Sequence, residues 1–489
     1  MTDHMSEIYE IIKAYIEESQ EEFLKYAAME NKSPIYNKNW ETDGELLSCI
    51  NQIKTYLESQ NITGIDIKIF EEKGITPALY FSVPSTDTEK PYNVLFLSGI
   101  DKIPFGDNWV RVDPYHPKVI DSYLYGRGSA STLYSIFSII GIIKALDELS
   151  IKRPKISVLL ESSFESNSCH LETHLTNLKK LEPTVNQIIC MNTWSTSNAH
   201  FHLMKSCRGL ISFDVKITTG QKQVHSGLFG GLIPDPVMIF HNLLSDKIEV
   251  IEKSEETGAV NIKIPELEID VTDEQKAECE AVGTELKSNI INVLPYRGYS
   301  NLIGGIGDKV KDQITAYMNG VLRPSMTILG IEGIPSMENM NGSLSPDMRA
   351  RLCFRTPPSL DVNKGFEDLK KKISENPLFN AKIEILNEEL IPGIDLETNK
   401  SFLTNEQFEL LKTLSKAKIK KEIQPLRLAR ELPSMKYLAD CYNNVPIFVT
   451  GAGDTFSGNI RNPDECIRLL RLADFSTIIA CYISQYNSF

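Results

Sequence analysis

The chain has few of the features that mark membrane, secreted or nucleic-acid-binding proteins. Its longest apolar run, Ile136–Ile143, is interrupted by Ser138 and Gly141 and is much shorter than the about 20 residues that a membrane helix needs. The first residues show neither the basic and apolar regions of a secretory signal nor the arginine-rich face of a transit peptide. Acidic residues outnumber basic ones by 65 to 51, and this net charge of -14 argues against nucleic acid and anionic membranes as partners.

The cysteines do not indicate a disulfide framework. There are nine, which is an odd number, and no two of them form a Cys-x-x-Cys pair, so a disulfide-stapled small domain is excluded. We expect reduced thiols and a cytoplasmic location. The 489 residues, with 42% apolar and 24% charged side chains, are typical of a soluble globular protein with two or three domains.

The order of apolar segments predicts an α/β architecture that is interrupted once. Between residues 93 and 191 short apolar runs alternate with helical patterns, which indicates a mostly parallel sheet with helices on both faces. In that part we predict strands at Val94–Leu97 and Ile156–Leu160 and a helix at Leu171–Leu181. From Leu210 the pattern becomes that of antiparallel strands and helices, with a strand predicted at Ile211–Thr218 and a helix at about residues 235–251. The first rhythm returns near the end, where the last helix is predicted at Glu465–Gln485. The predicted domains are therefore an α/β domain formed by residues 1–209 and 388–489, and an inserted α+β domain formed by residues 210–387.

Several short segments, in order along the chain, resemble sequence motifs of one protein family. The chain is similar to the carnosinase-like branch of the zinc exopeptidases, which includes the cytosolic non-specific dipeptidases. The run His-Ser-Gly-x-x-Gly-Gly, beside an inserted α+β module, is the more specific of these signals. The segments that carry the resemblance are Ser98–Asp101, Asn108–Trp109, Tyr125–Ser129, Glu161–Ser168, Cys207–Gly209, Val224–Gly231, Phe354–Pro357, Arg430–Glu431 and Gly451–Asp454.

The resemblance implies a fold and an active site. The fold would be a zinc-exopeptidase-like, mostly parallel sheet flanked by helices, with an inserted lid that also forms a dimer. The site would hold two zinc ions through His, Asp, Glu, Asp and His ligands, while a separate Glu takes the proton of a bridging water.

Position by position, this sequence departs from that site. The general-base position is occupied by Phe164, which can neither bind zinc nor transfer a proton. Of the five ligand positions, only one keeps its carboxylate, and a single carboxylate cannot hold two zinc ions. The five ligand-equivalent positions are Gly99, Ser131, Glu165, Thr193 and Phe456. We therefore expect no catalytic residue, no metal and no other cofactor, with zinc present only if other residues substitute as ligands.

Three residues that the family uses around its substrate remain. His225 and Arg355 match lid residues that contact substrate carbonyl and carboxylate groups in the family, the histidine from across the dimer. Asp101 matches the carboxylate that orients the lost histidine ligand. These residues form a possible remnant substrate-binding site, although a glycine-rich loop such as the one after His225 is also needed for backbone reasons alone.

Two further motifs have other possible interpretations. Thr450–Gly458 contains Gly-Ala-Gly-Asp, which also occurs in ribokinase-like sugar kinases, where it begins a helix and binds an anion. His170 and His174 lie four residues apart on a predicted helix and could share a metal, although surface histidines on a polar helix are commoner.

The leading hypothesis is a non-catalytic homologue of the dizinc dipeptidases, serving as a structural or regulatory subunit of a protein assembly. The alternative is an active metal-dependent dipeptidase or amidohydrolase with substitute ligands, and a remote alternative is a sugar kinase. We expect a homodimer or heterodimer through the lid, with neither nucleic acid nor membrane insertion.

Overall fold

The computed structural model describes residues 4–87, 89, 91–195, 200–248, 250–253, 260–286, 313–443, 445–454 and 457–486. The strands are β1 Asp66–Glu72, β2 Ile75–Val83, β3 Asn93–Gly99, β4 Lys118–Ile120, β5 Tyr123–Tyr125, β6 Lys155–Glu161, β7 Gln187–Cys190, β8 His202–Cys207, β9 Gly209–Thr218, β10 Val224–His225, β11 Val250–Lys253, β12 Val260–Lys263, β13 Ser325–Glu332, β14 Ser343–Leu344, β15 Asp347–Thr356, β16 Lys382–Ile391, β17 Ile394–Asp395, β18 Gln424–Leu428, β19 Ile447–Val449 and β20 Cys466–Arg468. The α-helices are Met5–Glu18, Gln20–Ala28, Trp40–Asp43, Glu45–Ser59, Tyr134–Glu148, Leu171–Leu181, Ser226–Phe229, Pro236–Asn242, Asp273–Leu286, Gln313–Leu322, Val362–Ser374, Asn405–Ile419, Pro433–Cys441 and Leu469–Ile483.

A six-stranded sheet forms the centre of the molecule, in the order β1-β2-β6-β3-β7-β19. Strands β6, β3, β7 and β19 run parallel to one another, whereas β1 and β2 form an antiparallel hairpin at one edge. Every residue of β3 and β7 is buried, as expected for strands that are covered on both faces. The predicted α/β class with a mostly parallel sheet is confirmed.

Alternate residues of the central strands serve two hydrophobic cores. Val94 and Phe96 pack toward the core formed by helices Met5–Glu18, Tyr134–Glu148 and Leu469–Ile483. Leu95 and Leu97 face the opposite core, which includes apolar residues of helices Leu171–Leu181 and Pro433–Cys441. Among the described residues one helical segment, Ser129–Glu148, is long and apolar enough to cross a membrane, but its apolar window is 94% buried within the protein.

A second sheet, here called the lid sheet, has the antiparallel order β13-β15-β9-β16. One face packs against helices Pro236–Asn242 and Val362–Ser374 in a core of its own. Each helix begins at an aspartate, Asp235 or Asp361, whose side chain accepts backbone N–H groups of the first turn. Because β9 begins at Gly209 and β16 ends at Ile391, the boundaries at 209/210 and 387/388 fall at or within strands, and the domain division stays a prediction.

Several elements differ from those predicted. Strand β8 carries His202, Lys205 and Ser206, which are buried through polar partners, so it lacks the apolar alternation that marks a strand. The helix expected at residues 235–251 ends at Asn242, continues as a wide π-turn to Ile248 and gives way to β11. The final helix begins at Leu469 rather than at Glu465, because β20 pairs with β5 just before it.

Candidate functional site

The carboxyl ends of the parallel strands bring the marked segments to one edge of the central sheet. β3 ends at Gly99, β6 leads into the turn Phe164–Ser166, and β7 leads to Thr193. The segment Gly451–Asp454 follows β19, and the Thr193 N–H donates to the carbonyl of Thr450. This edge is where ligands bind in parallel α/β sheets. We call the group Gly99, Asp101, Phe164, Glu165, Thr193, Trp194, Arg430 and Arg461 the strand-end cleft.

Gly99 and Phe164 fit each other closely. A Cβ atom added to Gly99 would lie 2.5 Å from Cβ of Phe164 and 2.8 Å from its Cγ, both too close for real atoms. The Phe164 side chain is 5% exposed and belongs to the second hydrophobic core. A side chain at Gly99, the expected first ligand position, is thus incompatible with the Cβ and ring of Phe164 as they are placed.

Asp101 fixes the turn that carries these residues. Its Oδ1 accepts the backbone N–H of Phe164 at 2.9 Å, and its Oδ2 accepts the backbone N–H of Glu165 at 2.8 Å. Burial, together with the charge of Glu165, raises the pKa of Asp101 to about 6. Both carboxylate oxygens accept backbone groups, so Asp101 holds the turn that carries Glu165, and its expected place in a substrate-binding site stays a prediction.

Glu165 is paired with a guanidinium group. Its Oε2 lies 2.5 Å from Nη2 of Arg461, and the Glu165 side chain is only 4% exposed. Burial raises the pKa of Glu165, whereas the charges of Arg461 and Arg430 lower it. The carboxylate expected at a ligand-equivalent position therefore already has a cation beside it.

Trp194 links the two arginines of the cleft. The guanidinium carbon of Arg430 lies 4.1 Å from the centre of the Trp194 ring, and that of Arg461 lies 5.4 Å from it. Such distances are those of cation–π contacts. Arg430 also donates from Nη2 to the carbonyl of Asn192 at 3.4 Å. Burial lowers the pKa of Arg430 to about 9, and the neighbouring charge of Arg461 acts in the same direction.

Ser131 lies in the first turn of the long core helix, where a carboxylate from elsewhere in the chain already binds. Oε1 of Glu465 accepts the backbone N–H groups of Ala130 and Ser131 at 3.2 and 3.0 Å. Oε2 of Glu465 lies 3.1 Å from Nη1 of Arg127, and both side chains are almost fully buried. The positive end of the helix is therefore neutralised internally.

Thr193 is also engaged within the protein. Its Oγ1 lies 3.0 Å from Nε2 of His202, whose pKa burial lowers to about 3, so this histidine is neutral. A Cβ atom on Gly451 would overlap the Thr193 carbonyl, which explains the glycine at this close approach. The remaining ligand-equivalent residue, Phe456, lies outside the described residues.

The two lid residues lie apart from each other. Arg355, at the end of β15, pairs with Glu431 and is near enough to Arg430 to lower its pKa. His225 is exposed, and its Nδ1 accepts the N–H of Gly227 at 3.1 Å. In the described part of the chain no recorded contact joins His225 to Glu165 or Arg355, so a role for His225 across a dimer stays a prediction.

The chemistry of the donors does not fit a pair of zinc ions. Gly99 offers no side chain, Ser131 and Thr193 offer neutral hydroxyls, and Glu165 offers one carboxylate that is paired with Arg461. Over the residues that the structure describes, no three His, Cys, Asp or Glu side chains form a group that could hold a metal ion.

The other motifs are used structurally. His174 is buried against the ring of Phe70, and Nδ1 of His170 accepts the backbone N–H of Thr76. Asp454 accepts the N–H and the hydroxyl of Ser457. The residues after β19 that the structure describes do not begin a helix, so the Gly-Ala-Gly-Asp segment lacks the setting of a sugar-kinase anion site.

Sequence reasoning missed the partners of Glu165. Arg461 and Trp194 lie in irregular loops with no periodic pattern, and Glu465 was assigned to the start of the last helix. Only Arg430 was noticed, as part of the resemblance. The sequence holds no motif or period that would have found Arg461.

Comparison with known proteins agrees with this architecture. No family model matches the chain. The central sheet, the lid sheet and the strand-end cleft together define a peptidase-type fold of the zinc exopeptidases. Solved structures with this fold include human carnosine dipeptidase 1, with a TM-score of 0.72, 17% identity and 99% coverage of both chains. They also include the di-peptidase Dug1p from Saccharomyces cerevisiae, with a TM-score of 0.73, 16% identity and complete coverage of both chains. The M20 family metallo-carboxypeptidase Sso-CP2 from Sulfolobus solfataricus has a TM-score of 0.73 and 16% identity, covering 96% of this chain and 98% of its own.

The curated proteins of similar sequence are Beta-Ala-His dipeptidases. The Beta-Ala-His dipeptidase of Rattus norvegicus is 25% identical over 313 residues, which are 62% of this chain and 60% of that protein. The Homo sapiens protein of the same name is 25% identical over 293 residues, 59% of this chain and 54% of its own length. The matched region thus spans between half and three fifths of these relatives. The resemblance to the carnosinase-like branch is confirmed.

Proposed function

We propose that the chain is a non-catalytic relative of the dizinc dipeptidases that serves as a structural or regulatory subunit of a protein assembly. One observation carries this proposal: Glu165, the remaining ligand-equivalent carboxylate, is paired with Arg461 at 2.5 Å. Phe164 supports it, because this ring stands at the general-base position and packs against Gly99 at the first ligand position. A bridging water would have neither a pair of zinc ions to bind it nor a carboxylate to accept its proton.

The direct test is the metal content and hydrolytic activity of the purified full-length protein. We expect less than one tightly bound zinc per chain, and no hydrolysis of β-alanyl or α-dipeptides with added zinc or manganese. An active carnosinase assayed in parallel serves as the positive control. Two zinc ions per chain together with turnover would overturn the proposal.

The second candidate is an active metal-dependent dipeptidase with substitute ligands. It is favoured by the comparisons, because the curated relatives are all named as dipeptidases and Sso-CP2 is a metallo-carboxypeptidase. For this candidate, other residues would have to supply the ligands, and the assay above distinguishes it from the main proposal. The fold removes support from the sugar-kinase alternative.

We further propose that the lid forms a homodimer or a heterodimer. β13 is an edge strand of the lid sheet, and Ile328, Leu329 and Ile331 on it are 37%, 62% and 48% exposed. An exposed apolar edge strand is a common site for pairing with another chain. All nine cysteines are unpaired and seven are buried, in keeping with the expected cytoplasmic location.

A further inference from the structure

In and beside the strand-end cleft, guanidinium groups outnumber carboxylates. Arg430 and Arg461 share one carboxylate, Glu165, and Arg355 pairs with Glu431. A fourth arginine, Arg208, has no carboxylate among its recorded partners. It donates to the carbonyls of Ala429 and Arg323 and to the hydroxyl of Ser325. We call Arg208, Arg355, Arg430 and Arg461 the arginine cluster.

Other nearby acids do not balance this charge. Glu465 is matched by Arg127 and by the helix N-terminus. Asp101 gives both of its oxygens to backbone N–H groups, and its charge lies behind the turn that carries Glu165. Counting Asp101 as charged, positive charge still exceeds negative charge. Buried or half-buried charge in excess is unfavourable unless a counter-ion is present.

Two side chains of the cluster are partly exposed to solvent. The side chains of Arg461 and Arg355 are 34% and 31% exposed, in contrast to the 4% of Glu165. Arg430 and Arg461 both lie against the Trp194 ring, which holds their planar groups and reduces the side-chain freedom lost on binding. Nε of Arg461 is buried and has no hydrogen-bond partner within the described part of the chain.

We propose that the strand-end cleft binds a small oxyanion, a carboxylate or a phosphate, through Arg430 and Arg461 beside Trp194. The site is thus inverted in charge relative to a zinc centre: fixed cations hold an anionic ligand where anionic side chains would hold cations. Guanidinium groups bind carboxylate and phosphate oxygens with paired, charge-assisted hydrogen bonds. The inference rests on the proposed function, because two zinc ions and the Arg461–Glu165 pair could not use Glu165 together.

The test is a calorimetric titration of the full-length protein with inorganic phosphate and, separately, with succinate. Both are compared with chloride at constant ionic strength. We expect saturable binding of at least one oxyanion and none of chloride, and the arm that binds identifies phosphate or carboxylate as the ligand type. Absence of saturable binding of either oxyanion up to about 10 mM, the range of very weak ligands, would overturn the inference.

Fluorescence then locates the ligand. The chain has three tryptophans, so the double variant Trp40→Phe and Trp109→Phe leaves Trp194 as the only one. We expect the oxyanion that binds to change the emission of Trp194 with the calorimetric affinity. Saturable binding without any change in Trp194 emission would place the ligand elsewhere and contradict the inference.

Substitutions separate a specific site from general attraction. Arg430→Gln should weaken binding at least about tenfold, the effect of losing a hydrogen bond to a charged group, and Arg430→Lys should restore part of it. The matched control is Arg349→Gln, which removes an equal charge from a lid-sheet residue paired with Glu332. The thermal transition of each variant shows whether it is folded. If both folded Gln variants weaken binding equally, the anion is attracted by overall positive charge and the inference of a specific site is contradicted.

Zinc analysis of the same samples keeps this inference distinct from the proposed function. Failure of oxyanion binding in a zinc-free, inactive protein would remove only the inference about the arginine cluster. Two bound zinc ions with dipeptide turnover would remove both.

Discussion

The strand-end cleft and the lid sheet differ in how their side chains are used: those of the cleft contact one another, whereas several on the edge of the lid sheet are exposed. In the cleft, the residues expected at ligand-equivalent positions have partners within the protein: Phe164 packs on Gly99, and Glu165 pairs with Arg461. On the lid sheet, β13 leaves Leu329 and Ile331 exposed at an unpaired edge. Under the proposed non-catalytic function, these contacts fit a cleft that binds no zinc, whereas the lid keeps a surface suited to association. A cleft under no constraint would instead be expected to keep mismatched replacements.

The largest effect that tests this comparison concerns the contact between Gly99 and Phe164. Phe164→Gly removes a buried ring and should lower the free energy of unfolding by about 3–5 kcal/mol. Gly99→Ala should lower it by about 1–3 kcal/mol, because the new Cβ meets the backbone-fixed Cβ of Phe164. In the double variant the cost of Gly99→Ala should largely vanish, and urea unfolding of the four proteins measures the coupling.

Gly220→Ala is the control for that cycle, since a Cβ there meets its neighbours only at the ordinary van der Waals distance of 3.8 Å. It should change stability by less than about 0.5 kcal/mol. Additive effects of Gly99→Ala and Phe164→Gly would mean that the two positions did not adapt to each other. The cleft would then be no better fitted than any other part of the core.

Regular elements with a clear apolar period could be predicted from sequence. The helix Leu171–Leu181 was predicted with its observed ends, and β3, β6 and β9 within about two residues, because burial on one or both faces determines these patterns. Strand β8 could not, since its polar residues are buried through partners outside the strand, such as Thr193 for His202 and the much later Arg427 for Ser206.

For the candidate site, the residues at the strand ends could be predicted from sequence, but the side chains and backbone groups that they contact could not. Glu165 and Asp101 could be placed at strand ends because a short motif fixes each to a neighbouring strand. The ion pair with Arg461 could not be predicted, because Arg461 lies in a loop whose course is set by tertiary packing. Asp101, expected as part of a remnant substrate-binding site, binds backbone N–H groups of the turn that carries Glu165, and no sequence pattern indicated these partners.

A smaller effect concerns protons held beneath the cleft. Glu161, fully buried at the end of β6, accepts hydroxyl groups of Ser163 and Ser168, and burial raises its pKa from 4.5 to about 8. The folded protein therefore keeps a proton that the unfolded chain releases near pH 4.5. Stability is fully present below that pH and falls as the pH rises toward 8. From pH 5 to 7, Glu161→Gln should flatten this fall by at most about 1.4 kcal/mol per pH unit.

Unfolding at several pH values between 5 and 7 measures the slopes. Asp101, whose pKa burial raises to about 6, titrates in the same range and leaves part of the slope in the variant. Lys102 acts in the opposite sense at higher pH, because burial lowers its pKa to about 7 from 10.5. Parallel slopes for wild type and Glu161→Gln would show that Glu161 does not hold a proton in the folded state.

The smallest expected effect on stability, and the sharpest on assembly, is at the lid edge. Ile331→Lys places a charge on the exposed face of β13 and should change the free energy of unfolding by less than about 0.5 kcal/mol. The same charge should block pairing of β13 with a second chain and convert the proposed homodimer to monomer, as sedimentation velocity would measure. Leu181→Lys, at an exposed leucine outside the lid, should leave the dimer intact. A wild-type protein that is monomeric, or an Ile331→Lys variant that still dimerises, would show that this edge is not a homodimer surface. The contrast between an adapted cleft and an associating lid would then rest on a different partner or a different face.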